Sequence, residues 1–389
     1  MRGSALDLEA DDGKGGNIGA HIRMVAVYVS ELAVPDILLS DVRKTFSNGT
    51  VGLHPTTLTV PSGSYFVLLG PSGSGKTTLL RLIAGLETPD SGMIHFGDRR
   101  VDGLPPHRRG IAFVPQRAAL YPDRDVHGNI RAGLDLARDR PSRTEIDARV
   151  RQAAESLGIT GLLTHKPHEL SGGEQRRVML ARALVRRADV WLLDEPLAQL
   201  DSALAGQLSQ DLHLLQRGSG HTIIHVTHDP IEAMALADRV GLLGGGRLLQ
   251  AGTPDEVYAR PSSRTVGLHF GRPPMSLIDG VADAGEFRSL DGWVRVACPH
   301  RGKVTLGLRP EDVAFSRRDG FVPIGDAEIA DRRRVDARTL VAVRGSASEV
   351  RGFADGAEAG RVTVWVNPNR LHWFDLATGA RLEVQTTAP

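Results

Sequence analysis

The sequence has little cysteine, no long apolar run and almost no net charge. Cys298 is the single cysteine among 389 residues, which excludes an internal disulfide and a cluster of thiolate metal ligands. No apolar run approaches the ~18 residues of a membrane-spanning helix, so we do not expect the chain to cross a bilayer by itself. The 47 basic and 46 acidic residues give a formal charge of +1. This balance argues against nucleic acid as a partner, because nucleic-acid binders usually carry a basic excess.

What is present is the composition of a soluble globular protein, with 41% hydrophobic and 24% charged residues. The length favours two or three domains. Residues 1–34 are polar and glycine-rich and lack the apolar segment of a secretory signal. We therefore expect a chain that is not exported, with a disordered extension at 1–34, although Val25–Val29 is apolar enough for a short strand.

A glycine-rich loop follows an apolar segment at Tyr65–Leu69, which has no polar alternation and is typical of a strand buried on both faces. A helix is predicted to follow the loop over Thr78–Ala84. Strand, loop and helix in this order are the setting of the phosphate-binding pattern G-x-x-x-x-G-K-S/T. The residues that match it are Gly70, Pro71, Ser72, Gly73, Ser74, Gly75, Lys76 and Thr77.

The chemistry of this loop predicts a nucleotide-phosphate site. Glycines let backbone amides approach phosphate oxygens, and the helix N-terminus adds partial positive charge. We expect Lys76 to bind the β- and γ-phosphates and the Thr77 hydroxyl to bind Mg²⁺. The alternative is a glycine-rich turn with an incidental lysine, which the flanking strand and helix disfavour.

A second apolar strand is predicted at Val190–Leu193 and ends in two carboxylates. In phosphate-loop proteins the first carboxylate at this place holds Mg²⁺, which predicts that role for Asp194. Glu195 follows at the carboxyl end of the strand, where it suits a general base that polarises the attacking water. A solvated acidic pair is the alternative, and the phosphate loop upstream makes it the weaker one.

A helix is predicted over Arg176–Val185, and polar residues precede it. Ser171 and Glu174 have the spacing of a capping box, so a well-capped helix is the simplest interpretation. Gly172 and Gly173 would weaken the first turn by up to ~1 kcal/mol each relative to alanine. Such a cost is expected where the backbone must come close to a ligand, and an anion is the natural candidate.

The segment LSGGEQRR at residues 170–177 resembles the signature motif of the ATP-binding cassette family of transporter ATPases. Gln116, Asp201 and His228 match the family's Q-loop, D-loop and H-loop residues. Phe46 stands where the family places an aromatic that stacks on adenine. Within the family, further segments resemble the sugar-importer branch of the maltose and glycerol-3-phosphate type; they are residues 119–122, 231–239, 252–254, 272–278 and 308–312.

The resemblance implies an α/β fold, namely a P-loop NTPase (RecA-like) cassette at residues 35–272 with a helical subdomain at about 117–185. It also implies a small all-β regulatory domain of the OB or TOBE type at residues 273–389. The pattern there is independent support, because Val304, Leu306 and Leu308 alternate with other residues, as do Val362, Val364 and Val366. Such alternation predicts half-buried strands.

The family further implies that two copies pack head to tail, with each ATP between one copy's phosphate loop and the other's signature loop. The implied catalytic residues are Lys76, Gln116, Glu195 and His228, and the implied Mg²⁺ ligands are Thr77, Gln116 and Asp194. The implied ATP contacts are Phe46, Gly70, Pro71, Ser72, Gly73, Ser74, Gly75, Lys76, Thr77, Thr78, Ser171, Gly172, Gly173, Glu174 and Asp201.

The expected function is therefore that of an ATP-hydrolysing importer subunit, peripheral on the cytoplasmic face of the membrane. Its expected partners are a second copy of itself, two integral membrane permease subunits and, indirectly, an extracytoplasmic solute-binding protein. A carbohydrate or glycerol phosphate is the expected solute. Polyamine, iron and oxyanion importers, a cassette switch outside transport and a regulatory module without turnover stay open as alternatives.

Overall fold

The computed structural model of the chain describes residues 35–116, 119–134, 141–186, 188–198, 200–335, 337–354 and 360–383, without the side chains of residues 215 and 219. The extension and the strand predicted at Val25–Val29 lie outside these residues. The described chain divides into two compact units. The first holds residues 35–36, 61–64 and 105–223, and the second holds residues 37–60, 65–104 and the chain from 224 onwards.

The elements are numbered in chain order. The strands are β1 (Ile37–Thr45), β2 (Val51–Val60), β3 (Tyr65–Leu69), β4 (Ser91–Phe96), β5 (Arg99–Arg100), β6 (Ile111–Val114), β7 (Val190–Asp194), β8 (Thr222–Thr227), β9 (Arg239–Gly244), β10 (Arg247–Gly252), β11 (Ser276–Asp283), β12 (Glu286–Ser289), β13 (Arg295–Ala297), β14 (Gly302–Leu308), β15 (Val313–Ala314), β16 (Val322–Val335), β17 (Arg338–Arg344), β18 (Glu349–Ala354), β19 (Arg361–Val366) and β20 (His372–Asp375). The α-helices are α1 (Lys76–Ala84), α2 (Val126–Arg131), α3 (Arg143–Ser156), α4 (Gly172–Leu184), α5 (Ser202–Ser219), α6 (Pro230–Leu236), α7 (Pro254–Ala259) and α8 (Arg264–His269).

In the second unit, the strand before the phosphate loop is a central strand. β3 pairs in parallel with β9 from Phe66–Arg239 to Leu69–Leu242, and every residue of β3 is buried, as the absence of alternation predicts. α1 begins at Lys76, earlier than the predicted start at Thr78, because Gly75 ends the loop as the helix N-cap. The antiparallel sheet β2-β1-β4-β5 also belongs to this unit.

In the first unit, β6 and β7 are parallel neighbours. They pair from Ile111–Val190 to Val114–Leu193, so their carboxyl ends lie at the same edge and the residues that follow them can meet there. α4 begins at Gly172, directly after the Ser171 N-cap that the capping-box spacing predicts, and so includes four residues before the helical run predicted at Arg176–Val185. The Ser171 cap stabilises the first turn in spite of its two glycines.

The C-terminal part of the second unit is all-β, as predicted. Its two sheets have the strand orders β13-β12-β11-β14-β20 and β15-β19-β16-β17-β18, and they share an apolar core. β19 alternates as expected, whereas the prediction of a half-buried β14 is wrong, because residues 304–308 are all buried. The second face of β14 is covered where Met275 and Phe374 lie against Gly307.

No helix among the described residues is long and apolar enough to cross a membrane.

Candidate nucleotide-binding site

The phosphate loop lies in the second unit, between β3 and α1, and its backbone requires glycine. Gly70, Gly73 and Gly75 have φ angles of 156°, 76° and 101°, a region that other residues rarely adopt. A Cβ at Gly75 would lie 2.6 Å from the backbone oxygen of Gly52, whereas a Cβ at Gly73 would meet nothing within 4 Å. The loop is therefore tightly packed at its end and open at its exposed middle, where Pro71 and Ser72 are also exposed.

The first turn of α1 fits an anion. Its N-cap, Gly75, offers no side-chain hydrogen bond, and no acidic residue lies in the turn, so its amide groups have the partial positive charge of an uncapped helix end. Lys76 is buried, and its Nζ donates to the carbonyl oxygens of Gly70 (2.8 Å) and Pro71 (2.9 Å). Ser74 Oγ is buried without a hydrogen-bond partner. A lysine ammonium, the amides of a helix N-terminus and the Ser74 hydroxyl are donors suited to phosphate oxygens.

Phe46 lies in the same unit, in the turn after β1. Its ring covers Gly52, since a Cβ built there would come within 2.5 Å of the ring and 3.1 Å of the Thr78 methyl group. Thr77 and Thr78 both lie in the first turn of α1 and are half-buried. Phe46, the predicted adenine-stacking residue, is thus a half-buried aromatic side chain beside the phosphate-loop helix. The residue that its ring covers, Gly52, is a glycine.

His228 also lies in the second unit, directly after β8, whose residues are all buried. The exposed His228 is followed by Asp229, whose backbone N–H donates to Thr227 Oγ1 (3.0 Å) and whose side chain accepts from the amide of Ile231 (2.8 Å). His228 therefore stands between a buried strand and a capped helix, which fixes its backbone while leaving its side chain exposed.

In the first unit, the segments after β6 and β7 bring two predicted residues into direct contact. Gln116 Nε2 donates to Glu195 Oε2 at 2.9 Å. Asp194 is buried at the end of β7. Glu195 has a φ of 47°, a left-handed conformation that costs a non-glycine residue roughly 1–2 kcal/mol and is concentrated at functional sites. The base expected from the sequence is therefore held in an unfavourable backbone conformation beside the expected Q-loop glutamine.

The signature segment in the first unit has the predicted capping box. Ser171 donates to Glu174 Oε2 from both its backbone N–H and its Oγ, each at 2.8 Å. These two bonds, the backbone one first, hold the pKa of Glu174 below its usual value. A Cβ at Gly172 would meet nothing within 4 Å, and one at Gly173 would meet only Leu200, at 3.6 Å. Asp201 caps α5 by accepting from the Leu204 amide at 2.9 Å.

The structure brings together part of the predicted site within each unit. In the second unit, Lys76 contacts Gly70 and Pro71 of the phosphate loop. Gln116 contacts Glu195, and Ser171 contacts Glu174, in the first unit. Sequence reasoning missed Arg176, a buried guanidinium that contacts the backbone of Gln116 and Glu195. The sequence showed only that the signature segment has two arginines, and this does not reveal which of them is buried.

A phosphate loop before a helix, and a carboxylate pair at the end of a buried strand, define a P-loop ATPase cassette. The model of the family described as "ABC transporter" matches residues 53–198. A solved structure titled as the dimeric structure of a post-hydrolysis state of the ATP-binding cassette MJ0796, bound to ADP and Pi, has a TM-score of 0.53 and 29% identity. It covers 56% of this chain and 98% of that chain.

Relatives match over a longer part of the chain. It is 39% identical to the sn-glycerol-3-phosphate import ATP-binding protein UgpC of Jannaschia sp. (strain CCS1), over 89% of this chain and 99% of the relative. It is 41% identical to the trehalose/maltose import ATP-binding protein MalK of Thermococcus litoralis, over 88% and 98%. The chain therefore belongs to the ABC transporter family and is an ATPase of that family.

Proposed function

We propose that the chain is the ATP-hydrolysing subunit of an importer for a glycerol phosphate or a carbohydrate. The observation that carries the proposal is the extent of the match, since import ATP-binding proteins for sn-glycerol-3-phosphate and for trehalose and maltose match this chain over 98–99% of their own length. The match includes the β-rich C-terminal part as well as the cassette. We infer that two permease subunits form the pore, with this chain peripheral on their cytoplasmic side.

The proposed roles follow the chemistry of each side chain. Lys76 and the amides of α1 bind the phosphates of ATP, which their donor geometry supports. Phe46 packs on the base. Glu195 accepts a proton from the attacking water, while the amide of Gln116 holds its carboxylate. His228 binds the γ-phosphate from a fixed backbone position.

Mg²⁺ prefers oxygen ligands and is usually held by one or two carboxylates together with substrate phosphates, and each unit offers oxygen ligands of this kind: Thr77 in the second unit, and Asp194 and Gln116 in the first. When bound there it would neutralise the charge that develops on the phosphates.

Dimerisation completes the proposed site. The chain has one phosphate loop and one signature segment, and the open backbone at Gly172 and Gly173 leaves room for an anion from another molecule. An isologous pair of identical chains makes two equivalent ATP sites. The solved cassette that this chain resembles is dimeric and holds ADP and Pi. Asp201, which caps α5, lies where the family places contacts between the two sites.

Two variants test this arrangement. Glu195→Gln should lower kcat by about 10²–10⁴-fold, the range for loss of a general base, while ATP binding persists and drives dimerisation. Adding Ser171→Arg should block that dimer without changing the affinity of the monomer for nucleotide. Light scattering measures the mass, and fluorescent-nucleotide titration measures the affinity.

The outcomes separate the parts of the proposal. Glu195→Gln that stays monomeric in saturating ATP and Mg²⁺ would contradict the dimer. A large loss of monomer affinity in Ser171→Arg would mean that Ser171 serves the nucleotide of its own chain. Uptake of radiolabelled sn-glycerol-3-phosphate and of maltose by reconstituted vesicles tests the solute class.

A further inference from the structure

Arg176 occupies an unusual position for a charged side chain. It lies in the second turn of α4 and is 5% exposed. Its guanidinium donates to four backbone carbonyls of the first unit: those of Pro196 (from Nε, 3.2 Å), Pro115 (from Nη1, 3.3 Å), Gln116 (from Nη1) and Glu195 (from Nη2). One planar cation thus contacts two segments that are far apart in sequence.

Both segments hold groups proposed for catalysis. Gln116 follows β6, and Glu195 follows β7. The Gln116 and Glu195 side chains contact each other at 2.9 Å, so the guanidinium closes a ring that joins the two residues through both backbone and side chains. Glu195 is in its left-handed conformation within this ring, and the bond from Arg176 to its carbonyl oxygen helps to hold it there.

The electrostatics of Arg176 agree with a fixed cation. Burial lowers its pKa, and the carboxylates of Glu195 and Asp194 oppose that shift. Arginine stays charged in such surroundings because its ordinary pKa is above 12. Its rigid fork of donors sets the distance between two carbonyl-bearing segments, which the point charge of a lysine cannot do.

We propose that Arg176 is a positioning residue that couples the signature helix to the Q-loop and to the general base. This inference rests on the proposed function. The first turn of α4, at Ser171 to Gly173, is the segment proposed to meet the partner's ATP, and Arg176 lies one turn further along the same helix. A shift of α4 on binding that nucleotide moves the guanidinium, and with it Gln116 and Glu195. Each chain's hydrolysis thereby responds to the ATP held by its partner's phosphate loop.

The test compares Arg176→Gln with Arg177→Gln on the same helix. Arg177 is a matched control, because its described hydrogen bond goes to the carbonyl of Leu157 (3.3 Å), away from both segments. For Arg176→Gln we expect kcat to fall by about 10–100-fold, since small misplacements of catalytic groups cost up to that much. The KM for ATP should stay within about twofold, the mark of a lost transition-state interaction. The Hill coefficient for ATP should fall toward one.

Arg176→Lys keeps the charge and serves as a second variant if Arg176→Gln folds poorly. We expect the Hill coefficient of Arg176→Lys for ATP to be as low as that of Arg176→Gln, because an ammonium cannot bridge both segments. Rates are divided by the fraction of folded protein, measured by circular dichroism. An unchanged kcat and Hill coefficient per folded molecule in both variants would reduce Arg176 to a structural residue and overturn the inference.

The proposed function is tested separately in the same series. Wild-type turnover and the ATP-driven dimer of Glu195→Gln report on that function, whatever Arg176 does. Arg176→Gln in the Glu195→Gln background should still dimerise with ATP, because positioning the base is not needed for nucleotide binding. Failure of this double variant to dimerise, while Glu195→Gln succeeds, would assign Arg176 to ATP binding and contradict the inference.

Discussion

Replacing Glu195 by glycine and by alanine separates its backbone conformation from its carboxylate. Both variants lose the same hydrogen bond with Gln116, and they differ only in the Cβ atom. The left-handed conformation, with φ at 47°, costs a residue with a Cβ roughly 1–2 kcal/mol and costs glycine nothing. Glycine in turn loses about 0.5–1 kcal/mol more conformational freedom on folding. The difference predicts that Glu195→Gly is more stable than Glu195→Ala by about 0.5–1 kcal/mol.

Gly206 provides a control of opposite sign. It lies in the interior of α5, is exposed, and a Cβ there would meet nothing within 4 Å. Alanine is favoured over glycine at such helix positions by up to about 1 kcal/mol, so Gly206→Ala should stabilise the chain. Alanine is thus expected to be less stable than glycine at position 195 and more stable than glycine at position 206.

Urea unfolding followed by circular dichroism measures all four chains at one temperature. Midpoints are compared at equal slope, because a changed slope would mean a changed unfolded or native state. An alanine variant at position 195 that is more stable than the glycine variant, as at position 206, would refute the strained conformation. Both Glu195 variants should also lose turnover by about 10²–10⁴-fold, which separates the role of the carboxylate from the backbone effect.

Two further predictions concern buried groups of the second unit. Burial lowers the pKa of His225 to about 3, so the folded chain keeps this imidazole neutral at pH values where the unfolded chain protonates it. The unfolding free energy is therefore at its full value above the unfolded pKa and decreases as the pH falls toward the folded pKa. From pH 6.5 to 5, the unfolding free energy of the wild type should fall by about 1.6 kcal/mol more than that of His225→Gln, and equal losses in urea unfolding would contradict this. Arg309 stacks 3.8 Å above the Tyr258 ring and donates to the carbonyl oxygens of Gly267 and Tyr258, each at 3.0 Å. Arg309→Met should lower the unfolding free energy by about 3 kcal/mol or more, because buried carbonyls lose their donors. Arg370 is exposed, so Arg370→Met should change the unfolding free energy little. Equal effects of the two substitutions would contradict a stabilising role of the Arg309 hydrogen bonds.

The elements that sequence predicted well are those set by neighbouring residues. β3 and the loop after it depend on an apolar run and on glycines within a dozen residues, and the structure has both. The capping box of Ser171 and Glu174 depends on a spacing of three residues along one turn, and it forms as expected. Local interactions of this kind leave a readable pattern because the partners are fixed by backbone geometry alone.

At the start of α4, helix propensity and capping oppose each other. Gly172 and Gly173 are poor helix formers, whereas the spacing of Ser171 and Glu174 predicts a cap directly before them. In the structure the helix includes both glycines, since Ser171 and Glu174 satisfy each other's backbone amides at its end. A propensity cost of about 1 kcal/mol per glycine is therefore compatible with helix when the cap is complete.

The contacts of Gln116, Arg176 and Glu195 could not be predicted, because they depend on long-range pairing. The register of β6 against β7 brings the two loops together, and residues 116 and 195 have no relation in the sequence pattern. Arg176 lies in a segment whose periodicity does not separate a buried arginine from a surface one. Burial of the guanidinium was decided by carbonyl groups that only the folded backbone assembles.

The first turn of α4 also limits how the signature segment can bind a phosphate. The Ser171 hydroxyl has one proton, and it already donates to Glu174 Oε2 at 2.8 Å. It cannot donate to a phosphate oxygen as well unless that bond breaks. The amides of Gly172 and Gly173 have no such conflict, because the helix offers them no acceptor of its own and the capping box binds the amides of Ser171 and Glu174 instead; the space above Gly172 is also open. If the signature segment binds the partner's phosphate as proposed, its backbone amides rather than the serine hydroxyl are the groups prepared for it, which is a physical reason for glycine at Gly172 and Gly173 in spite of its cost to the helix.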